Sequence, residues 1–87
     1  MSSAQNSAQL VKDMVEKIAK TIVDNEQDVK VNIVEGERTA IVELRVNKDE
    51  VGKVIGKSGR IVKAIRALVS AASAKYNKRI ILEVPDA

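Results

Sequence analysis

The chain has 87 residues, enough for one domain with a small core, and its 45% hydrophobic and 31% charged residues are the balance of a soluble globular protein. It has no cysteine, no histidine and no apolar run of about 20 residues, which excludes disulfides, thiolate metal sites and membrane spans. The net charge of +3 arises in residues 51–79, which hold eight basic and no acidic residues, the asymmetry that a polyanion-binding surface requires.

The first helix is predicted after a short polar tail. Residues 1–7 are small and polar, so we expect them to be disordered, with Ser7 as the N-cap of the helix. The helix is expected to end near Val23, and its apolar positions at helical spacing are Leu10, Val11, Met14, Val15, Ile18 and Ile22. The first residues lack the basic and apolar segments of a secretory signal, so we expect a cytoplasmic protein.

Two strands joined by a tight turn follow a polar connection at residues 24–28. Val29, Val31 and Ile33 alternate with polar residues, and a second alternation runs over residues 40–46, so each segment is predicted as a half-buried strand. The glycine-containing turn at residues 35–37 makes the pair a β-hairpin. Ile41 interrupts the polar face of the second strand, which indicates that this strand is central in the sheet.

A short helix is predicted next. Asn47 and Glu50 have the spacing of a capping box, with Asn in place of Ser or Thr. The helix should therefore run from about residue 48 to residue 55 and end at Gly56, which can adopt positive φ.

A longer helix and a third strand complete the pattern. The inner positions expected for this helix are Ile61, Ala64, Ile65, Leu68 and Ala72. Val62 and Val69 form a second apolar stripe, which is either a wider core face or a surface that binds a partner. After a turn at residues 76–78, the third strand covers residues 80–84 and is stopped by Pro85.

The element order α-β-β-α-α-β predicts an α+β fold. A two-helix crossover joins the second and third strands, so these strands should be parallel, while the first pairs antiparallel on the other side of the second. We expect a three-stranded mixed sheet with three helices packed on one face. The domain is predicted to span residues 8–84, with short tails at 1–7 and 85–87.

The turn between the two later helices is the most informative segment. Gly56 and Gly59 enclose Lys57 and Ser58, and Gly59 carries no side chain that would keep another backbone at a distance. The following helix presents unpaired N–H groups and the positive end of its dipole, and Lys57 and Arg60 add full positive charges. These features favour a phosphate at this turn.

Two other interpretations of this turn are weaker. A glycine cap followed by a serine N-cap is also how an ordinary helix-turn-helix corner is built. Gly56, Lys57 and Ser58 resemble the end of a Walker A loop, but that motif needs glycine at position 51, which is Val51, and it follows a strand where a helix is predicted here.

Residues 54–65, with the sequence V-I-G-K-S-G-R-I-V-K-A-I, resemble the signature of KH domains, which have an I-G-x-x-G core followed by a helix. Val62 stands where many KH domains have Ile. The element order is similar to that of type II KH domains, and the resemblance covers residues 8–84. The E-G-E-R hairpin and the later V-G-K-V-I-G-K-S-G-R segment resemble the small bacterial single-KH proteins of the KhpA type.

The resemblance implies a single-stranded RNA-binding module without catalysis, metal, cofactor or small-molecule substrate. The residues that it assigns to the backbone clamp are Gly56, Lys57, Ser58, Gly59 and Arg60. The residues that it implies for the two sides of the groove are Val54, Ile55 and Ile61, and Ile80, Ile81 and Leu82. Further cationic contacts are expected from Lys53, Lys63 and Arg66, for which solvated helix positions are the alternative. Tyr76 is the single aromatic residue, so bases should be held by apolar contacts and edge hydrogen bonds.

The resemblance also implies a role and partners. KhpA-type proteins suggest post-transcriptional regulation or an RNA-chaperone role, with either self-association or pairing with a larger Jag-type (KhpB) protein. Two other function classes stay open: a KH fold that binds only proteins, and a binder of single-stranded or duplex DNA.

Overall fold

The computed structural model describes the backbone of residues 3–87 and the side chains from residue 7 onward, and it has the predicted α+β order. The elements are α1 (Ser3–Ile22), β1 (Lys30–Glu35), β2 (Thr39–Arg45), α2 (Val51–Ile55), α3 (Arg60–Tyr76) and β3 (Arg79–Glu83). Short 3₁₀ turns at residues 26–28, 48–50 and 57–59 lie in the connections. The predicted three-stranded mixed sheet and its three helices are confirmed.

Helix α1 begins earlier than its sequence indicated. It starts at Ser3, so the prediction of Ser7 as the N-cap is wrong, and the helix includes part of the segment expected as a tail. Residues 1 and 2 of that tail lie outside the described residues. Ser7 lies in the i, i+4 row that faces the core, where its small side chain is fully buried in line with Val11, Val15 and Ala19. Burial of this row of residues in the core therefore stabilises helical backbone on the N-terminal side of Ser7, which would otherwise have capped the helix.

The hairpin forms as predicted, with β2 in the centre of the sheet. Strands β1 and β2 are antiparallel with Val31 opposite Leu44, and the turn closes through the Gly36 N–H, which donates to the Thr39 carbonyl at 2.7 Å. Three alternate residues of β2 face the helices and are completely buried: Ala40, Val42 and Leu44. Burial of every second residue on this strand fixes its register against both neighbours.

The crossover through α2 and α3 returns the chain to the other side of β2. Strand β3 is parallel to β2, with Ala40 beside Ile80 and Val42 beside Leu82. At the end of α3, Asn77 adopts the left-handed conformation with φ 53°. The Ser73 hydroxyl accepts a hydrogen bond from the Ile80 N–H at 2.6 Å and donates to the Lys78 carbonyl at 2.8 Å, which fixes the start of β3 against the helix.

Helix α3 packs on the sheet through a face that only partly matches the prediction: Ile65 is buried, and Ile61 and Ala72 are half-buried against the core. Val62, Ile65 and Val69 are at most 6% exposed, whereas Leu68 is 50% exposed and Ala64 is also exposed. The inner positions assigned to Ala64 and Leu68 are therefore wrong. Of the two interpretations of Val62 and Val69, the core face is confirmed and the partner surface is wrong, because neither side chain reaches the surface.

Candidate nucleic-acid interface

A buried carboxylate anchors the start of α2. The Asn47 side chain accepts a hydrogen bond from the Asp49 N–H at 2.9 Å, so Asn47 is a cap as predicted. Glu50, however, does not complete a capping box. Its carboxylate accepts hydrogen bonds from the backbone N–H groups of Asp24 at 2.6 Å and Asn25 at 2.9 Å, and from the Asn25 side-chain amide at 2.7 Å. Glu50 thus connects the segment after α1 to the helix that leads into the glycine turn.

The hydrogen bonds at Glu50 also set its charge state. The Asp24 backbone N–H contributes most to lowering the pKa of Glu50, and the Asn25 donors and Lys53 act in the same direction. Burial opposes them, and the resulting pKa is about 2. Glu50 is therefore a carboxylate near neutral pH, fully satisfied within the fold.

The turn from Gly56 to Gly59 has positive φ at three of its four residues. Gly56 has φ 77° and ψ 170° and ends α2, with its N–H donating to the Gly52 carbonyl at 2.8 Å. A Cβ on Gly56 would lie 2.6 Å from the Cγ1 of Ile61, so only glycine fits. Gly59 has φ 74° and lies at the N-terminus of α3. The predicted helix end at Gly56 is confirmed, and the backbone between the glycines bends tightly at the surface.

Ser58 is the unexpected member of this turn. It has φ 57°, a conformation that residues with a Cβ adopt at some energetic cost. Its side chain is exposed and does not cap α3, which has no side-chain hydrogen bond at its N-cap. The turn therefore holds a strained exposed residue beside the uncapped end of a helix dipole, an arrangement common at binding sites.

Several cations surround the turn. Lys57 and Arg60 are exposed, and neither forms an ion pair within the described part of the chain. Lys63, one turn into α3, is also exposed, and its Cε lies 3.6 Å from the position that a Cβ on Gly59 would occupy. Arg66 is exposed further along α3. Positive charge and the N-terminal end of α3 thus meet at one corner of the molecule.

The apolar residues predicted to line a groove are only partly available. Ile55 and Ile61 flank the turn and are half-buried against the core, so part of each side chain is accessible. Val54 is completely buried, so its assignment to the groove is wrong.

Ile80 and Leu82, predicted for the other side of the groove, lie on the edge strand β3 with their side chains turned inward. They are 5% and 2% exposed because they point into the core between the sheet and the helices. Ile81, next to Ile41 across the strands, is half-buried on the opposite face of the sheet. None of the three side chains lies on the helix-side surface that carries the glycine turn.

Lys53 is near the turn in sequence but is paired with carboxylates. Its ammonium lies 2.7 Å from an Asp24 carboxylate oxygen and 3.2 Å from one of Glu50. Hydrogen bonds to Asp24 and to Glu50 raise the pKa of Lys53. Among the predicted cationic contacts, Lys53 therefore differs from Lys57 and Arg60, which have no acidic partner among the described residues.

Sequence reasoning missed two features of this site. The strain at Ser58 has no signal in the residue type, because Asn and Asp are the usual non-glycine residues at positive φ. The Glu50 anchor depends on Asp24 and Asn25, which precede it by some 25 residues, and the local capping-box spacing indicated a different partner.

The described residues contain no group of three acidic, His or Cys side chains that could hold a metal ion, and none of their helices is long and apolar enough to cross a membrane. The segment before the glycine turn is helical, unlike the strand that precedes a Walker A loop.

Comparison with known proteins identifies the family. A family model described as KhpA/KhpB, KH domain, matches residues 12–84. The chain is 50% identical over 74 residues to the RNA-binding protein KhpA of Borreliella burgdorferi, covering 85% of this chain and 90% of that protein. The KhpA proteins of Clostridium perfringens and Aquifex aeolicus are 53% and 50% identical over 85% of this chain, and the matches cover 99% and 94% of those proteins. No solved structure matches the chain. The chain belongs to the KhpA/KhpB family of KH domains.

Proposed function

We propose that this protein is a non-catalytic binder of single-stranded RNA that holds the sugar-phosphate backbone at the turn formed by Gly56, Lys57, Ser58 and Gly59. The observation that carries the proposal is the exposed turn with positive φ at Gly56, Ser58 and Gly59, beside the uncapped N-terminus of α3. The relatives named RNA-binding protein KhpA support the choice of RNA as the ligand.

Each part of the site has a physical role in this proposal. The glycines let a polynucleotide approach the main chain closely, and the dipole of α3 favours a phosphate there. Lys57 and Arg60 supply charge next to that phosphate, and Lys63 and Arg66 extend the charge along α3. Ile55 and Ile61 give apolar contact to unstacked bases. With about three phosphates neutralised, the logarithm of the affinity should fall with the logarithm of salt concentration with a slope of roughly −2.

The decisive experiment changes the charge of the turn. Lys57→Asp combined with Ser58→Asp should abolish binding of a fluorescein-labelled single-stranded RNA of randomised sequence, measured by fluorescence polarisation, because both side chains would then repel phosphate. Circular dichroism should show an intact fold, since both residues are exposed. The control with the same charge change is Lys17→Asp with Gln27→Asp, at exposed positions outside the basic segment.

The outcome separates the remaining function classes. Unchanged RNA binding by the folded turn variant would reject the clamp. Absence of salt-dependent RNA binding by the wild-type protein would favour a KH fold that binds only proteins. Competition with single-stranded and duplex DNA tests the nucleic acid class, and we expect single-stranded RNA to compete best.

The cellular role follows the family resemblance. We infer that the protein acts in the cytoplasm as a post-transcriptional regulator or RNA chaperone, and that a larger KhpB-type protein is a partner. The family shared by KhpA and KhpB proteins supports the pairing.

We also propose a homodimer, formed through the exposed apolar face of α3 instead of the buried Val62 and Val69. Ala64, Leu68 and Ala71 are exposed at positions i, i+4 and i+7 of one helix face, which supports a helix-to-helix contact.

A further inference from the structure

Lys53 is the residue nearest in sequence to the glycine turn whose positive charge is paired with carboxylates. It lies on α2, three residues before Gly56, and its side chain is 46% exposed. Its ammonium contacts carboxylate oxygens of Asp24 at 2.7 Å and Glu50 at 3.2 Å. The positive charge of Lys53 is therefore neutralised by the side chains of two acidic residues outside α2.

The two carboxylates that hold Lys53 differ in their surroundings. Glu50 has a side chain only 5% exposed, and it accepts three further hydrogen bonds from the backbone of Asp24 and from Asn25. The Asp24 side chain is 85% exposed, and Lys53 is its hydrogen-bond donor within the described residues. Glu50 is thus part of the structure, whereas the Asp24 carboxylate contributes a charge with little packing around it.

We propose that Asp24 lowers the RNA affinity of the protein by holding Lys53 in an ion pair, so that Lys53 is withheld from the phosphate backbone. This inference rests on the proposed RNA site at the glycine turn and names a residue outside that turn that sets its affinity. An exposed ion pair is weak, so a phosphate and the Asp24 carboxylate compete for the same ammonium. Removing the Asp24 carboxylate leaves Lys53 paired with Glu50 alone, at the longer distance of 3.2 Å, so more of its charge is available to RNA.

Substitutions at Asp24 can remove its side-chain charge without removing its backbone hydrogen bond to Glu50. Asp24→Asn removes the charge but keeps the backbone N–H that donates to Glu50, so the anchor of α2 is retained. Asp24→Ala does the same without a side-chain amide and serves as the second variant. Asp13→Asn is the matched control, because Asp13 is an exposed carboxylate on α1 that contacts Gln9 and no cation within the described residues.

The experiment measures binding of the same randomised single-stranded RNA over a range of salt concentrations. We expect Asp24→Asn and Asp24→Ala to tighten binding about two- to five-fold at low salt, the range expected for one exposed ion pair. The salt slope should become steeper by about 0.7, the value for one more phosphate contact on a single strand. Lys53→Gln should weaken binding more in the Asp24→Asn background than in the wild-type background.

Each contrary result overturns the inference. Unchanged affinity of both Asp24 variants, with thermal melts confirming the fold, shows that Lys53 is not withheld. Equal tightening by Asp13→Asn shows a general effect of net charge. If the turn variant abolishes binding while the Asp24 variants bind as wild type does, this inference fails and the proposed clamp stands. If the turn variant binds RNA normally, the clamp itself fails.

Discussion

Two glycines four residues apart, Gly56 and Gly52, have opposite structural demands. Gly56 has φ 77° and ψ 170°, a region open almost solely to glycine, and a Cβ there would lie 2.6 Å from Ile61. Gly52 lies inside α2, and a Cβ there would meet no atom within 4 Å. The same substitution should therefore have opposite effects at the two positions.

We predict that Gly56→Ala destabilises the fold by about 3 kcal/mol, from backbone strain and the forced movement of Ile61. Gly52→Ala should stabilise it by about 0.5–1 kcal/mol, because alanine restricts the unfolded chain and favours a helix. Urea unfolding followed by circular dichroism gives both values. Equal effects at the two positions would show that the turn does not require the conformation described.

The role of a single residue could be predicted from the sequence only when it depended on residues close by in the chain. The glycine cap at residue 56 was predictable because positive φ and the end of a helix are properties of the chain nearby. The burial of Ser7 was not, since a serine before an apolar repeat is the usual sign of an N-cap and only the core contact of α1 overrules it. The ion pair of Lys53 with Asp24 was also not predictable, because the two residues are distant in sequence.

At the scale of elements, Glu50 joins the α1–β1 connection to α2, and this link should depend on pH. A carboxyl whose pKa is lowered on folding stabilises the protein above its unfolded pKa and loses that contribution as the pH falls. For Glu50 the contribution is complete above the ordinary pKa of 4.5 and declines as the pH falls towards about 2. Acid should therefore weaken the contact between the connection and α2.

The test compares unfolding at several pH values. We predict that Glu50→Gln lowers the melting temperature by several degrees near neutral pH, and that its difference from wild type shrinks as the pH falls from about 4.5 towards 2. Glu37→Gln, at an exposed position in the hairpin turn, is the control and should follow wild type. A difference between Glu50→Gln and wild type that stays constant over this pH range would contradict the assignment.

The elements themselves were largely predictable, but the orientation of α3 was not. Alternation over the hairpin placed its strands correctly because one face of each packs on the helices. In α3, apolar residues occur on more than one side, and Ile65 fits both stripes. Leu68 and Ala64 are as compatible with a core as Val62 and Val69, and the contact of α3 with β3 selects between them. The groove positions at Ile80 and Leu82 came from the family resemblance, and the inward direction of these two side chains is set by the packing of β3 against the helices.

For the whole molecule, the proposed dimer contact and the RNA site share helix α3. Val62, Ile65 and Val69 face the core. At 3.6 residues per turn, Arg66 and Leu68 lie about 160° apart around the helix, whereas Arg60 lies within about 40° of Ala64. A contact between two copies that leaves the glycine turn open to RNA should therefore be centred on Leu68, about two turns beyond Arg60.

We predict that the wild-type protein dimerises at high concentration and that Leu68→Asp makes it monomeric, because a buried unpaired carboxylate would oppose the helix contact. Light scattering after size-exclusion chromatography measures the mass of each. Leu10→Asp is the matched control, since Leu10 on α1 is 53% exposed and Leu68 is 50% exposed, and it should leave the dimer intact. Both variants should keep the fold and bind RNA at the turn. A monomeric wild-type protein, or a dimer that survives Leu68→Asp, would exclude the α3 contact.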